Sequence, residues 1–260
     1  MTPPAFSRRL LERVSRNLSL RRRLPARFGG ATLCVSPGAA LAYYRRLDGP
    51  AWRELFDFAT HCVPRDATVW DVGASMGVFG FAAAHVTGPG GRVLLVEADT
   101  WTVEFLKASA RTPRPGAAPV HVLCGAVADR VALQQFEIPE RGRAGSHLAS
   151  SAGAGGALLG RTRESHPAIT VSLDWLAANY GPPAVIKLDI EGVEFPALEG
   201  ATRVLERHRP ALFVEVYERS TDALTALLHR HRYRLFDLSR GWEARTPIER
   251  ATYNTLALPV

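Results

Sequence analysis

From Thr68 onward, short apolar runs alternate with segments that carry helix signals, and this constrains the fold more than any other feature. Apolar runs over 68–72, 92–97, 119–124, 184–189 and 211–217 read as strands. Between and after them, 77–85, 100–110, a Ser172-capped stretch through 179, about 194–207 and 221–231 read as helices. Such alternation demands a mostly parallel sheet covered by helices on both faces. The last two runs, 233–238 and 253–258, have no helical pattern between them and are expected to pair as a long antiparallel hairpin. The expected fold is therefore α/β: a Rossmann-like sheet of seven strands, mostly parallel, closed by a C-terminal antiparallel hairpin. One stretch breaks the regularity. Residues 141–161 are rich in Gly, Ala and Ser without periodicity, as expected of a lid over an active site.

Charge is distributed unevenly. The net +7 resides in residues 1–30, where Arg8, Arg9, Arg13, Arg16, Arg21, Arg22, Arg23 and Arg27 face Glu12 alone. Everything after them is neutral, so a polyanion argument applies only to this leader. Leu10, Leu11, Val14 and Leu18 give 7–20 the spacing of an amphipathic basic helix. It is read as a cap on the main domain, with peripheral membrane or nucleic-acid contact and organelle targeting as alternatives. Residues 1–60 are accordingly expected to form a basic helical cap, and 61–260 the main domain with the lid. No apolar run reaches the ~20 residues of a membrane helix. Cys34, Cys62 and Cys124 are odd in number and widely spaced, which fits a reducing cytoplasm rather than a disulfide framework or a zinc site.

Chemistry concentrates at strand ends, where open α/β sheets bind ligands. Asp71-Val72-Gly73-Ala74-Ser75-Met76-Gly77 runs from a strand through a glycine turn into a helix. Gly73 and Gly77 let backbone approach a ligand. The dinucleotide fingerprint would need glycine at Ser75 and Val78, and the Asp71 carboxylate repels phosphate while attracting an ammonium or sulfonium. Glu97, closing the next strand in Val96-Glu97-Ala98-Asp99, is placed to accept from ribose hydroxyls. The fourth strand of the series ends in Lys187-Leu188-Asp189-Ile190-Glu191-Gly192-Val193-Glu194.

These motifs, with Leu198-Glu199-Gly200-Ala201, the segment 171–176 and Asn254-Thr255-Leu256-Ala257, resemble the FkbM family of class I S-adenosylmethionine-dependent methyltransferases. The resemblance spans about 68–218 and departs from the family at Ser109, near a position where members tend to carry Asn. It implies S-adenosyl-L-methionine as cofactor, with Asp71, Gly73 and Gly77 at the methionine part, Glu97 and Ala98 at the ribose, and Ala126 and Val127 flanking adenine. It further implies O-methylation of a hydroxyl on a sugar or secondary-metabolite small molecule.

Asp189, first polar group beyond a buried strand, is the expected base or orienting group, and His147 in the lid is an alternative base. Lys187 shares the Asp189 face and is expected to pair with Asp189 or with Glu215. Only Lys107 and Lys187 are lysines, and a lysine kept where arginine serves elsewhere suggests a need for a compact charge. Glu194 suits a helix start. Asp189, Glu191 and Glu194 would suit a hard cation, but no further ligand group completes that set, and no metal is expected. Two other functions remain open at this point. Against a nucleic-acid methyltransferase stand an acidic lip, which repels phosphate, and the missing Asp/Asn-Pro-Pro-aromatic motif; a non-catalytic cofactor-binding protein is the other.

Overall fold

The computed structural model describes residues 18–140, 143–151 and 161–260. In chain order they begin with β1 (Leu20–Arg23), β2 (Thr32–Val35), α1 (Arg53–Cys62), β3 (Thr68–Val72), α2 (Val78–Thr87), β4 (Arg92–Glu97) and α3 (Thr100–Ala110). Next come β5 (Val120–Cys124), β6 (Ala126–Val127), β7 (Ala132–Pro139), β8 (His147–Leu148), β9 (Thr162–Val171) and α4 (Leu173–Tyr180). The remainder is β10 (Val185–Leu188), α5 (Glu194–Glu199), β11 (Ala211–Glu215), α6 (Thr221–Arg230), β12 (Tyr233–Asp237), β13 (Pro247–Ile248) and β14 (Asn254–Pro259).

The main sheet has the order β13-β12-β14-β11-β10-β3-β4-β5. Its five middle-to-edge strands, β11, β10, β3, β4 and β5, are parallel, as the alternation requires. The C-terminal pair is antiparallel as expected, but it does not simply extend the edge. β14 inserts between β11 and β12 and runs antiparallel to both, and the two-residue β13 is added outside β12.

Strand pleating sorts the core into two layers. Val69, Val93, Leu95, Val185 and Phe213 face α1, α2 and Leu106 of α3. Trp70, Val72, Leu94, Val96, Ile186, Leu188, Leu212 and Val214 face α4, α5 and α6. Each buried aliphatic side chain on these faces contributes about 1.5–3 kcal/mol.

Three expectations change. The 7–20 helix falls mostly outside the described residues, and where description begins the chain forms an antiparallel hairpin, β1 with β2. Its burial alternates with period two, Leu33 and Val35 packing into the same core as Phe56 and Phe79. The segment 194–207 is not one helix. α5 stops at Glu199; Gly200 then passes so close to Asp129 that a Cβ there would lie 2.5 Å from its carbonyl oxygen, and a π-helical turn follows over Val204–His208. Finally, the irregular middle contains a long hairpin arm. β7 and β9 pair antiparallel, flanked by β6 and β8 in a second sheet of order β6-β9-β7-β8. Residues 141–142 and 152–160 of the expected lid lie outside the described residues.

The π-helical turn depends on a capping carboxylate from another helix. Asp174 in α4 accepts from Arg203 N–H at 3.1 Å and Val204 N–H at 2.9 Å. Asp174→Ala is expected to lower stability by ~1–2 kcal/mol, the usual cost of a lost cap, measurable by urea denaturation; an unchanged midpoint would show that water replaces the cap.

Candidate active site

Period-two pleating and parallel register carry one row of side chains to the carboxyl edge of four neighbouring strands. In the sheet, Lys187 lies beside Asp71 on one side and Phe213 on the other, and Asp71 lies beside Leu95. Two residues further along each strand on the same face stand Asp189, Gly73, Glu215 and Glu97. Three carboxylates thus flank a gap where the glycine has no side chain. Gly73 has φ +74°, and a Cβ on it would lie 1.7 Å from the Asp189 carbonyl oxygen, so only glycine lets these strand ends meet.

Below that row a buried cation balances the acids. Lys187 Nζ lies 3.3 Å from Asp71 Oδ1 and 3.2 Å from Asp189 Oδ2, and donates to the Gly73 carbonyl at 2.9 Å. Burial pulls the ammonium toward neutrality, but Asp189, Asp71 and Glu215 outweigh it and hold the lysine protonated. Of the two expected pairings, Lys187–Asp189 is formed. Glu215 instead accepts from Tyr253 Oη at 2.6 Å. The Asp71 pairing was not anticipated. Asp71 is 1% exposed and its other oxygen accepts from Gly80 N–H at 2.9 Å, so it braces β3 against α2 at the wall of the site.

A cavity of about 320 Å³ opens on this edge. Gly73, Glu97, Ala98, Ala126 and Val127 line one end, and Glu54, Asp189, Glu191 and Glu215 the other. Glu97 holds the turn in shape, accepting from Ser75 N–H and Asp99 N–H, both at 2.9 Å. The roof comes from segments that carried no motif. Tyr43, Trp52 and Leu55 come from before β3, while Phe136, Arg143 and Leu148 come from the hairpin arm. Arg143 anchors the arm, its guanidinium within 2.6 Å of the buried Asp99 and stacked 4.6 Å over Trp101. Asp99 meanwhile caps α3 through Trp101 N–H. Tyr43 is buried against the turn, and burial pushes its hydroxyl up to about 12.

Other sequence-predicted groups fall elsewhere. His147 is not in the cavity: it is buried in the small sheet, Nδ1 3.0 Å from the Gly145 carbonyl oxygen and Nε2 3.8 Å from Glu137, because strand alternation at Ser146 and Leu148 turns the neighbours inward instead. Glu194 is fully buried and turns back to accept from Ile190 and Gly192 N–H. Glu191, at φ +57°, takes the Tyr217 hydroxyl. The three acids around Gly192 therefore part company, and among the described residues no three His, Cys, Asp or Glu side chains converge as a metal site. Ser109 joins α3 to β2, accepting from Cys34 N–H at 2.8 Å. Sequence reasoning missed Tyr43, Trp52, Glu54 and Arg143 as site residues; Arg143 lies within the expected lid, but nothing in the sequence singles it out there.

The model of the methyltransferase FkbM domain matches residues 71–235. The chain belongs to the FkbM methyltransferase family. The matched span includes both glycine-turn and fourth-strand motifs, and S-adenosyl-L-methionine is the cofactor of that family. Its residues fit that cofactor, with a side-chain-free turn at Gly73, a strand-end acid at Glu97 and small apolar walls at Ala98, Ala126 and Val127 around one continuous cavity. No curated protein sequence matches the chain. Among solved structures, it is similar to a methyltransferase FkbM from Methylobacillus flagellatus KT at 20% identity, covering 78% of this chain and 47% of that one, TM-score 0.48. The chain thus spans about half the length of that protein. An O-methyltransferase from Bacillus cereus in complex with SAH aligns at 14% identity over 86% and 87% of the two chains, TM-score 0.45. Aeropyrum pernix fibrillarin with natively bound S-adenosyl-L-methionine aligns at 12% over 80% and 83%, TM-score 0.41.

Two outcomes test the electrostatics. Lys187→Met leaves Asp71 buried and uncompensated, and is expected to cost ~3–5 kcal/mol in denaturant unfolding; a loss under ~1 kcal/mol would mean that the pair contributes nothing net. The second concerns pH. Burial, followed by the charge of Asp189, raises Glu215 to about 8 and Glu191 to about 7, against an ordinary 4.5. Between about pH 4.5 and 8 the native state therefore holds more protons than the unfolded chain, and stability falls as pH rises through that window. Glu215→Gln is expected to flatten part of this decline in thermal unfolding scans, and an unchanged slope would remove Glu215 as its source.

Proposed function

We propose that this methyltransferase transfers its methyl group to a hydroxyl of a sugar or secondary-metabolite small molecule, with Asp189 as the base that orients and deprotonates the acceptor. The observation that carries this reading is the row of Glu97, Gly73, Asp189 and Glu215 at the carboxyl edge, a cofactor end and an acid end joined in one cavity.

S-adenosyl-L-methionine, when bound, supplies a methyl group already activated on a sulfonium. The residues that would hold it are Gly73 and Gly77 of the turn, Glu97 and Ala98 at the ribose, and Ala126 and Val127 beside adenine. Asp71 acts one step back, bracing the turn through Gly80 and Lys187. Asp189 lines the cavity with its side chain a quarter exposed, open to an acceptor on one side and held by Lys187 on the other. Accepting the hydroxyl proton as the new bond forms contributes ~10²- to 10⁴-fold. Lys187 holds that carboxylate in place at 3.2 Å, and Trp52, Leu55 and Phe213 exclude water around it.

A small neutral acceptor suits the acid end better than a nucleic acid does. Glu54, Asp189, Glu191 and Glu215 form a lip that repels a phosphate backbone and offers acceptors to hydroxyl donors. We read residues 1–60 as a basic cap, whose described part shares one core with the catalytic unit 61–260. No helix among the described residues is long and apolar enough to cross a membrane. The unpaired Cys34, Cys62 and Cys124 support a reducing, cytoplasmic setting.

Labelled cofactor incubated with a fractionated extract of hydroxylated metabolites is expected to yield a methyl ether on a small molecule. Asp189→Asn should lower turnover ~10²- to 10⁴-fold while cofactor affinity by calorimetry stays unchanged. Full turnover in that variant would remove Asp189 as base, and cofactor binding without transfer to any acceptor would favour a non-catalytic protein.

A further inference from the structure

A second cavity, of about 220 Å³, lies between the β1–β2 hairpin, α2 and the loop that follows α3. It is separate from the active site. α2 starts at the cofactor turn and returns past the sheet to its amino edge, and its ten residues span ~15 Å. The cavity is lined by the last turns of that helix, where His85 stands, and by Thr112–Pro115.

Its lining is cationic and contains no acid. Arg23, His85 and Arg114 converge there with the hydroxyl-bearing Thr32 and Thr112. Arg114 is half-buried over the Phe81 ring, its Nη groups donating to the carbonyls of Ser109, Ala110 and Thr112 at the end of α3. Those contacts make it a helix cap, but its Nε–H is buried without a partner. A buried donor on a charged group is rarely left unmade. Arg23 uses only Nε, donating to the Gly30 carbonyl at 3.1 Å, and its two Nη groups have no hydrogen-bond or ion-pair partner among the described residues. The chain's own leader is a poor occupant, since Arg8, Arg9, Arg13 and Arg16 would add like charge.

From this arrangement we infer that the cavity is a second ligand site that takes a phosphate monoester. Arginine forks match phosphate oxygens in pairs, and the Arg23 fork borders this space with no carboxylate beside it, while Arg114 adds its positive charge from the wall. Phe28, Pro113 and Pro115 supply the apolar wall for a small organic body attached to the phosphate. The phosphate can belong to a free metabolite or to a lipid headgroup, because both present the same dianion.

Calorimetry on the full chain with glycerol 3-phosphate, beside flotation with phosphatidic-acid vesicles and with phosphatidylcholine vesicles as control, separates the two sources. Arg23 is exposed and His85 half-buried, so Arg23→Gln and His85→Gln test the site without removing the α3 cap. Each is expected to weaken whichever probe binds by about tenfold, the scale of one charge-assisted hydrogen bond, with S-adenosyl-L-methionine affinity unchanged. Binding of neither probe would overturn the proposal. So would binding that both variants leave intact, which for the vesicles would assign the attraction to the arginine leader.

Discussion

The rest of the active site depends on one ammonium group. β3 and β10 lie side by side in register, and both end in carboxylates, Asp71 and Asp189, with the Gly73 carbonyl between them. Without a cation those groups would repel one another in a medium where Coulomb energies are several times their value in water. Lys187 touches all three, so the strands can close, the glycine turn can sit against Asp189, and the acid row above can form. An arginine could not take this place, since its planar fork is larger and directs its donors differently. That accounts for a lysine in a chain whose other cations are, with one exception, arginines.

Around that pair the cavity divides by chemistry. The end we propose for the cofactor is shaped by backbone and small side chains, which tolerate little change in position. The end we propose for the acceptor is shaped by Glu54, Glu191 and Glu215, two of them bonded by the hydroxyls of Tyr217 and Tyr253. The roof is held from the side by Arg143 on Asp99, a residue that also starts α3. The strand that carries Glu97 and the arm that covers the cavity are therefore joined through a single carboxylate two residues beyond Glu97.

Much of this was legible in the sequence, for identifiable reasons. Four of the five parallel strands, β3, β4, β10 and β11, are buried on both faces, so they appear as continuous apolar runs, and Gly73, Gly77 and Ser172 punctuate the series as their backbone roles require. The Lys187–Asp189 pair follows from period two within one strand. Its second partner, Asp71, depends on which strand lies next to β10, which local pattern does not encode. The β7–β9 arm escaped notice because polar residues such as Gln134, Gln135 and Glu164 interrupt its apolar ones, leaving no continuous apolar run. Tyr43, Trp52 and Glu54 precede the first βα unit in irregular or short helical structure, and only tertiary packing brings them over the strand ends. His147 failed as a base for a related reason: composition suggested an open loop, whereas pairing with β7 buries it.

The insertion of β14 bears on how the protein comes into being. β11 and β12 are made before it and have no hydrogen bonds to each other; β14 supplies the neighbour of both. Until then two strand edges stand open inside the sheet, the kind of edge that recruits foreign strands. The same strand brings Asn254, whose side chain donates to Glu54 at 3.0 Å across 200 positions of chain. Pairings of such long range are slow to form. A nascent chain that lacks β14 is thus both adhesive and without the Asn254–Glu54 contact, so the acid end of the cavity is completed only as the sheet closes.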